Sequence, residues 1–426
     1  MQISTLDWII IFSFFGLFIA VGLYYAKKSG KNSKEYFLSG RNMPWWLVGI
    51  SMVATTFSAD TPNLVTNIVR ESGVSGNWVW WAFLLTGMMT VFFYAKLWRR
   101  SEVLTDLEFY ELRYSGKESV FLRAFRALYL GVFFNVMIMA TVCLAGIKIG
   151  GILLGLSPFE CVFYSSLITV IYSALGGLRS VIITDLIQFA LAMTGSIWAC
   201  IYLLNLDQIG GLNQLVTNPL LADKLNFFPD FGDFDTLIVV FIIPIAVQWW
   251  AVWYPGAEPG GGGYIAQRML SAKDEKNAVY STLLFNVAHY AIRPWPWILI
   301  ALASIIIYPS LSDISSAFPN VDKSIIGNDI AYPAMLFLLP SGLLGIVIAS
   351  LAAAFMSTIS SHLNWGASYI SIDFYKRFVK KNATEKEVVF MGRISTVILM
   401  ILAGFVALKL TDALDAFQIL LQIGAG

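Results

Sequence analysis

The stretch Gly49-Ile50-Ser51-Met52-Val53-Ala54-Thr55-Thr56-Phe57-Ser58-Ala59-Asp60-Thr61-Pro62-Asn63 decides how this chain is read. It begins as an apolar helix and then crowds Thr55, Thr56, Ser58, Asp60, Thr61 and Asn63 around a proline. Proline cannot donate to the helical ladder. Carbonyls freed at membrane depth are tolerated only where they face protein, water or a ligand. An aspartate at that depth points to a functional site. A kinked helix whose Ser and Thr bond back to their own carbonyls accounts for any one of these residues. Their density favours an interrupted helix that lines a site.

The composition puts that stretch in a membrane. The 426 residues are 58% hydrophobic, 15% aromatic and 13% charged, with mean hydropathy +0.71. Soluble domains are about half apolar and about a quarter charged, so a soluble enzyme would lack the charges to cover its surface. The 28 Lys and Arg against 27 Asp and Glu argue against nucleic acid, which favours a strongly basic face. Cys143, Cys161 and Cys200 lie in apolar runs without metal-ligand spacing and read as packing residues.

A spanning helix needs about 20 mostly apolar residues. Candidate spans cover 6–27, 46–69, 78–98, 121–153, 158–176, 181–206, 235–256, 278–308, 334–372, 387–409 and 413–426. They are too long and too little alternating for barrel strands, so the fold class is an all-α polytopic membrane protein. The first span carries Asp7, ends at Lys27-Lys28 and lacks a cleavage motif, so it is a retained helix. Basic residues fall in the odd-numbered loops: Lys27, Lys28 and Arg41 in the first, Arg99, Arg100 and Arg123 in the third, and Arg179 in the fifth. Arg268, Lys273 and Lys276 follow in the seventh, and Lys376 and Arg377 in the ninth, while the sixth and eighth lean acidic. By the positive-inside rule the N-terminus lies outside a cell membrane. The last span stops at Gly426 with no polar anchor, so the chain is expected to continue.

A second interruption, Trp253-Tyr254-Pro255-Gly256-Ala257-Glu258-Pro259-Gly260-Gly261-Gly262-Gly263-Tyr264, closes the seventh span. A flexible loop is its bland explanation. Interrupted segments at corresponding places in two halves are, however, the sequence pointer to an inverted-repeat secondary transporter. The expected organisation is a leading helix and loop over 1–45, a five-helix repeat over 46–206, an extracellular loop over 207–234, and a second repeat over 235–426, truncated in its last helix. No residue-level repeat joins the halves; the symmetry rests on topology.

The ninth span carries Ala354-Phe355-Met356-Ser357-Thr358-Ile359-Ser360-Ser361-His362-Leu363-Asn364. Ser357 and Thr358 lie three and four residues after Ala354, on one face, and Ser360 and Ser361 repeat that step. Small hydroxyl residues often serve close helix packing, but this density suits oxygen ligands for a hard cation. Asp185 is either a carboxylate for the same purpose or an interfacial aspartate near the cytoplasmic end.

Four segments together resemble the sodium:solute symporter family, the relatives of sodium/glucose, sodium/proline and sodium/sialic acid cotransporters. They are Tyr36-Phe37-Leu38-Ser39-Gly40-Arg41 through Pro44-Trp45-Trp46, Gly176-Gly177-Leu178-Arg179 through Thr184-Asp185 and Gln188, Tyr264-Ile265-Ala266-Gln267-Arg268 through Lys273, and the ninth span through Asp373 to Lys376. The resemblance implies a LeuT-like fold of inverted five-helix repeats behind one extra leading helix, with the chain ending in the tenth core helix. It implies a first sodium ion held by the carbonyls of Ala54, Phe57 and Ala354 and the hydroxyls of Ser357 and Thr358. Some members bind a second sodium ion, for which Asp185, Ser360 and Ser361 would join Ser357. The solute pocket maps to Asp60, Thr61 and His289, and Tyr264 falls near the inner aromatic gate, with Trp253 in the aromatic wall that closes over solute.

Arg293 stands four residues after His289 on one helical face and is costly in a membrane unless paired. Asp60 or Glu258 could neutralise it; otherwise it would bind an anionic group on the solute. Sugars, sugar acids and carboxylates all stay open. The expected activity is sodium-coupled import by alternating access. Two alternatives remain on the residues alone: a proton-coupled carrier using Asp185, His289 and His362, and a non-transporting sensor. An intramembrane enzyme would need a nucleophile–base pair or metal cluster, and the two histidines, on separate spans, suggest neither.

Overall fold

A computed structural model describes residues 3–247, 249, 263–319 and 326–410. The expected features at Trp253, Glu258 and 413–426 lie outside them. Among the described residues the only β-pairing is an isolated parallel bridge between Met43 and Ala272; the rest is helix and connection. The helices are α1 (Thr5–Ser29), α2 (Trp45–Thr55), α3 (Thr61–Ser72), α4 (Val74–Ser101), α5 (Lys117–Gly151), α6 (Pro158–Leu204), α7 (Phe234–Ala246), α8 (Gly263–Ser271), α9 (Glu275–Ile307), α10 (Leu343–Val379) and α11 (Glu385–Ala407). By length and composition α1, α4, α5, α6, α9, α10 and α11 can each cross a membrane. The most apolar stretch of α10 is 89% buried, against 22% for that of α1, so α10 is the central helix and α1 a peripheral one. The three cysteines are buried and free.

The run from 46 to 69 is two helices. The Thr56 amide donates to Met52, the Phe57 amide to Ala54 and the Thr61 amide to Ser58, after which Leu64 restarts the ladder on Asp60. Pro62 sits in the first turn of α3, where a missing N–H costs nothing. Among the described residues the carbonyls of Thr55 and Phe57 accept no backbone amide.

The expected spans 158–176 and 181–206 follow one another without a loop, as the two arms of the 47-residue α6, which meet in a non-helical turn at Gly177 with φ 57° and ψ −163°. A straight helix of that length would reach about 70 Å, more than twice the roughly 30 Å hydrocarbon core. The turn therefore gives each arm its own crossing. An ideal Cβ on Gly177 would stand 2.7 Å from the Tyr36 carbonyl oxygen, so neither the backbone angle nor the space admits another residue.

The expected span 334–372 begins instead at Leu343. Ala331–Leu336 forms a separate short helix, and Pro340 and Gly342, at φ 85°, reset the chain before α10. The first amides of α10 are capped from α1: Asp7 Oδ1 accepts from the Gly342 and Gly345 amides at 2.7 and 2.8 Å, while Oδ2 accepts from the Ser4 hydroxyl at 2.6 Å. A carboxylate there matches the positive end of the helix dipole.

Candidate functional site

The break between α2 and α3 faces the hydroxyl ladder of α10. Thr358 Oγ1 donates to the Thr55 carbonyl at 3.0 Å and lies 3.4 Å from the Phe57 carbonyl. Three neutral oxygens thus converge across the two helices, a donor set that suits an alkali cation. Of the other residues expected here, the Ala54 carbonyl accepts the Phe57 amide at 3.1 Å and Ala354 is buried, while the Ser357 hydroxyl donates to Asp185 Oδ1 at 2.6 Å, the neighbour that the resemblance gives it in the second set.

Asp185 lies at the centre of a second cluster, whose other charged member is Arg268. Both are fully buried. Arg268 donates through Nη2 to Asp185 Oδ2 at 3.3 Å, to Thr55 Oγ1 at 2.7 Å and to Ser361 Oγ at 2.5 Å, and through Nε to Ser51 Oγ at 2.8 Å. Ser51 Oγ in turn donates to Asp185 Oδ2 at 2.5 Å. Ser360 faces elsewhere, its hydroxyl bonded to the Ser357 carbonyl at 3.0 Å. A guanidinium therefore stands among Asp185 and Ser361, where the resemblance implies a second sodium ion. Arg268 is not a loop cation: its charge is neutralised inside the protein by Asp185, and the basic character of its loop rests on Lys273 and Lys276. That Ser51, Thr55 and Arg268 surround Asp185 was not legible, because what unites the four is proximity across three helices, α2, α6 and α8.

The third group joins α9 to the same break. Pro294 has no N–H, and the helix widens before it into a π turn over Ala288–Ile292, closed by the Arg293 amide on the Ala288 carbonyl at 3.0 Å. Such turns frequently mark functional positions. His289 Nδ1 lies 3.0 Å from Thr56 Oγ1, and its Nε2 lies 3.5 Å from Arg293 Nη2. With Nε2 accepting from the guanidinium, Nδ1 carries the proton, the tautomer of a neutral ring. Arg293 Nη1 reaches Thr56 Oγ1 at 3.3 Å and the Val53 carbonyl at 3.5 Å, and its guanidinium carbon lies 5.4 Å from the Trp297 ring centre. Among the described residues Arg293 forms no ion pair, its Nε has no hydrogen-bond partner, and Asp60 Oδ1 has none either. Thr61 is taken up locally, its hydroxyl accepting the Ser58 amide at 3.2 Å.

Tyr264 opens α8, 3% exposed, its ring edge-on to His362 at 5.2 Å and near Trp365 at 6.2 Å. Below it Asp106 receives the Gly263 amide at 2.9 Å and the Tyr369 hydroxyl at 2.6 Å, tying α8 to the end of α10. Beside that clamp Arg123 bonds Asp373 at 2.7 Å, Glu108 at 3.1 Å and Glu111 at 2.5 Å, and Arg377 bonds Glu111 at 2.9 Å. His362 bonds Asn135 at 2.7 Å; no hydrogen bond among the described residues links it to His289 or Asp185.

An interrupted helix set against a hydroxyl-bearing one, with buried charge around both, defines a membrane carrier of the broken-helix class. The sequence comparisons make this specific. The profile of the sodium:solute symporter family matches residues 36–423, and the chain belongs to that family. It is 26% identical over 440 residues to the sodium/glucose cotransporter of Vibrio parahaemolyticus, covering 98% of this chain and 77% of that one. It is 24% identical over 444 residues to the sodium/sialic acid symporter SiaT of Proteus mirabilis, covering 99% of this chain and 82% of that one. A solved Na+-coupled sialic acid symporter in its substrate-bound outward-open state superposes with a TM-score of 0.76 at 21% identity, over 95% of this chain and 82% of that one. The fold is LeuT-like.

Proposed function

We propose that this protein imports a small organic solute together with sodium by alternating access. The observation that carries the reading is the contact of the Thr358 hydroxyl with the carbonyls of Thr55 and Phe57. Sodium seated there would tie the broken helix to α10 and favour the outward-open, solute-ready state. Its release into a low-sodium cytoplasm would loosen that tie and allow the inner side to open. Coupling of this kind needs an ion that binds the two states with different affinity. The odd-loop basic residues support an N-terminus outside, and the two interruptions read in the sequence, at Thr55–Pro62 and Trp253–Tyr264, support inverted repeats. The solute would lie at the same break, among Asp60, Thr61, His289 and Arg293, with Tyr264 beneath it as the inner gate. Arg268 against Asp185 and Ser361 supports one sodium ion per cycle, because a resident cation already occupies the second set of oxygens.

The test is the thermal stability of the purified protein titrated with sodium, and with potassium or choline at equal ionic strength. A ligand at 100 times its dissociation constant stabilises by about 2.7 kcal/mol. The expected result is a saturable rise for sodium alone, weakened about tenfold or more in Thr358→Val. A sodium response unchanged in that variant would refute the site. A sodium response without sodium-driven uptake in proteoliposomes would identify a sensor.

A further inference from the structure

Among the described residues the charge of Arg293 has no counter-ion within hydrogen-bonding distance. The residue is 2% exposed, yet among the described residues no carboxylate pairs with it. Its contacts are a threonine hydroxyl, a peptide carbonyl and a neutral histidine, at 3.3, 3.5 and 3.5 Å, long and weak for a guanidinium. Two aromatic rings, Phe57 at 6.0 Å and Trp297 at 5.4 Å, add modest cation–π attraction. The other buried arginines of the molecule are treated differently: Arg268 meets Asp185, and Arg123 meets Asp373, Glu108 and Glu111. An uncompensated buried charge is strongly destabilising, so a site that keeps one without a partner is poised for a ligand of opposite sign.

Asp60 stands at the same break, immediately before α3, and is not paired with Arg293. Asp60 Oδ1 and Arg293 Nε are both buried and both lack a hydrogen-bond partner. The neighbouring Ser58 Oγ and Asn63 Oδ1 are unpartnered as well. These orphans gather at one break in one helix, where an acid needs a donor and a guanidinium needs an anion.

We propose that the solute is a small hydroxylated monoanion, a sugar acid or hydroxy acid, whose carboxylate is received by Arg293 and whose hydroxyl groups donate to Asp60. The assignment rests on the sodium-coupled reading above. It also balances the charges. Asp185 and Arg268 cancel each other, the sodium oxygens are neutral, and among the described residues the loaded break then holds two cations, sodium and Arg293, against two anions, Asp60 and the solute carboxylate. A neutral sugar would leave an excess positive charge. A zwitterion would do the same.

The experiment measures the melting temperature of the purified protein in saturating sodium with three sets of probes: D-glucuronate, D-gluconate and L-lactate as hydroxy acids, D-glucose and myo-inositol as neutral matches, and L-proline as a zwitterion. At least one acid is expected to raise the midpoint saturably, with no comparable effect from the neutral or zwitterionic probes. Arg293→Gln should weaken that acid tenfold or more, and Arg293→Lys should restore part of the loss. The sodium-only shift, retained in Arg293→Gln, serves as the control for folding. In proteoliposomes, uptake of the acid with one sodium should be indifferent to an imposed potential. The proposal is overturned if no acid stabilises the protein, if glucose, inositol or proline stabilises it and survives Arg293→Gln, or if uptake of the acid carries current. Absence of any sodium-specific shift in the unsubstituted protein would instead refute the sodium-coupled reading, and the solute assignment with it.

Discussion

Replacing Arg268 by glutamine removes the charge that faces Asp185 and leaves the carboxylate buried with only the Ser51 and Ser357 hydroxyls, at 2.5 and 2.6 Å. Two hydroxyl donors do not replace a cation, and removal of one partner from a buried pair costs about 3–5 kcal/mol. Asp185→Asn creates the converse problem, a guanidinium that keeps Ser51, Thr55, Ser361 and the Tyr264 carbonyl but loses the carboxylate it meets, at a similar cost. The double variant has no charge to strand. It should therefore be destabilised well short of the sum of the single variants, with a coupling energy of about 2–3 kcal/mol, at the upper end of measured pairs. The assay is reversible unfolding in mixed micelles, run in choline to keep sodium away. Repeating it in sodium adds a second readout. Arg268→Gln frees Asp185, so sodium, but not potassium, should recover part of the lost stability, and the sodium dependence should steepen from one ion toward two. Additivity within about 0.5 kcal/mol, or a steep sodium dependence already present with Arg268 in place, would refute the resident-cation argument.

Gly177→Ala should cost at least about 1–3 kcal/mol, because its φ and ψ fall in a region nearly closed to residues with a Cβ; the check is folded yield and melting temperature, with Gly151→Ala, whose Cβ would meet only the Leu156 carbonyl at 3.7 Å, as the comparison. Burial raises the pKa of Glu111, but its hydrogen bonds to Arg377 and Arg123 outweigh that and hold it below its ordinary value of 4.5. The stabilisation is thus complete above about pH 4.5 and is lost as pH falls through the lower folded value. Glu111→Gln should flatten that part of the acid-stability profile. Tyr369→Phe removes the hydroxyl that donates to Asp106 and should shift the protein toward inward-open, read as faster labelling of a cysteine placed on α8 facing the inner side.

The broken helix was legible because its signal is local: polar residues and a proline within one run, Thr55 to Pro62. The π turn over Ala288–Ile292 has a local cause as well, in Pro294, although the residues show only that the helix is disturbed there. What escaped is what depends on distance along the chain. Arg268 read as a loop cation because its partner Asp185 lies 83 positions away, and Asp7 stood in the first span with no role because its partner Gly342 lies 335 positions away. Gly177 stood inside a recognised segment, but a turn made by one residue, without a loop, leaves no run of turn formers to mark it. Ser357 was rightly placed among the oxygen-bearing residues, yet its hydroxyl turns to Asp185, a choice between neighbours that spacing does not make.

The cap that Asp7 places on α10 has a consequence for biosynthesis. At roughly 5–20 residues per second, the 335 positions between Asp7 and Gly342 correspond to about 15–70 s of translation, during which α1 carries a carboxylate whose partners have not been made. Gly22 meets Tyr172 much earlier, since a Cβ there would approach the tyrosine Cβ to 2.6 Å, so α1 can dock on α6 while its acidic end still waits. A helix made late thus supplies the partners of an acid made at the start, and a chain interrupted before Gly342 leaves its N-terminal acid without the amides that satisfy it, a mark by which membrane quality control could tell an unfinished carrier from a complete one.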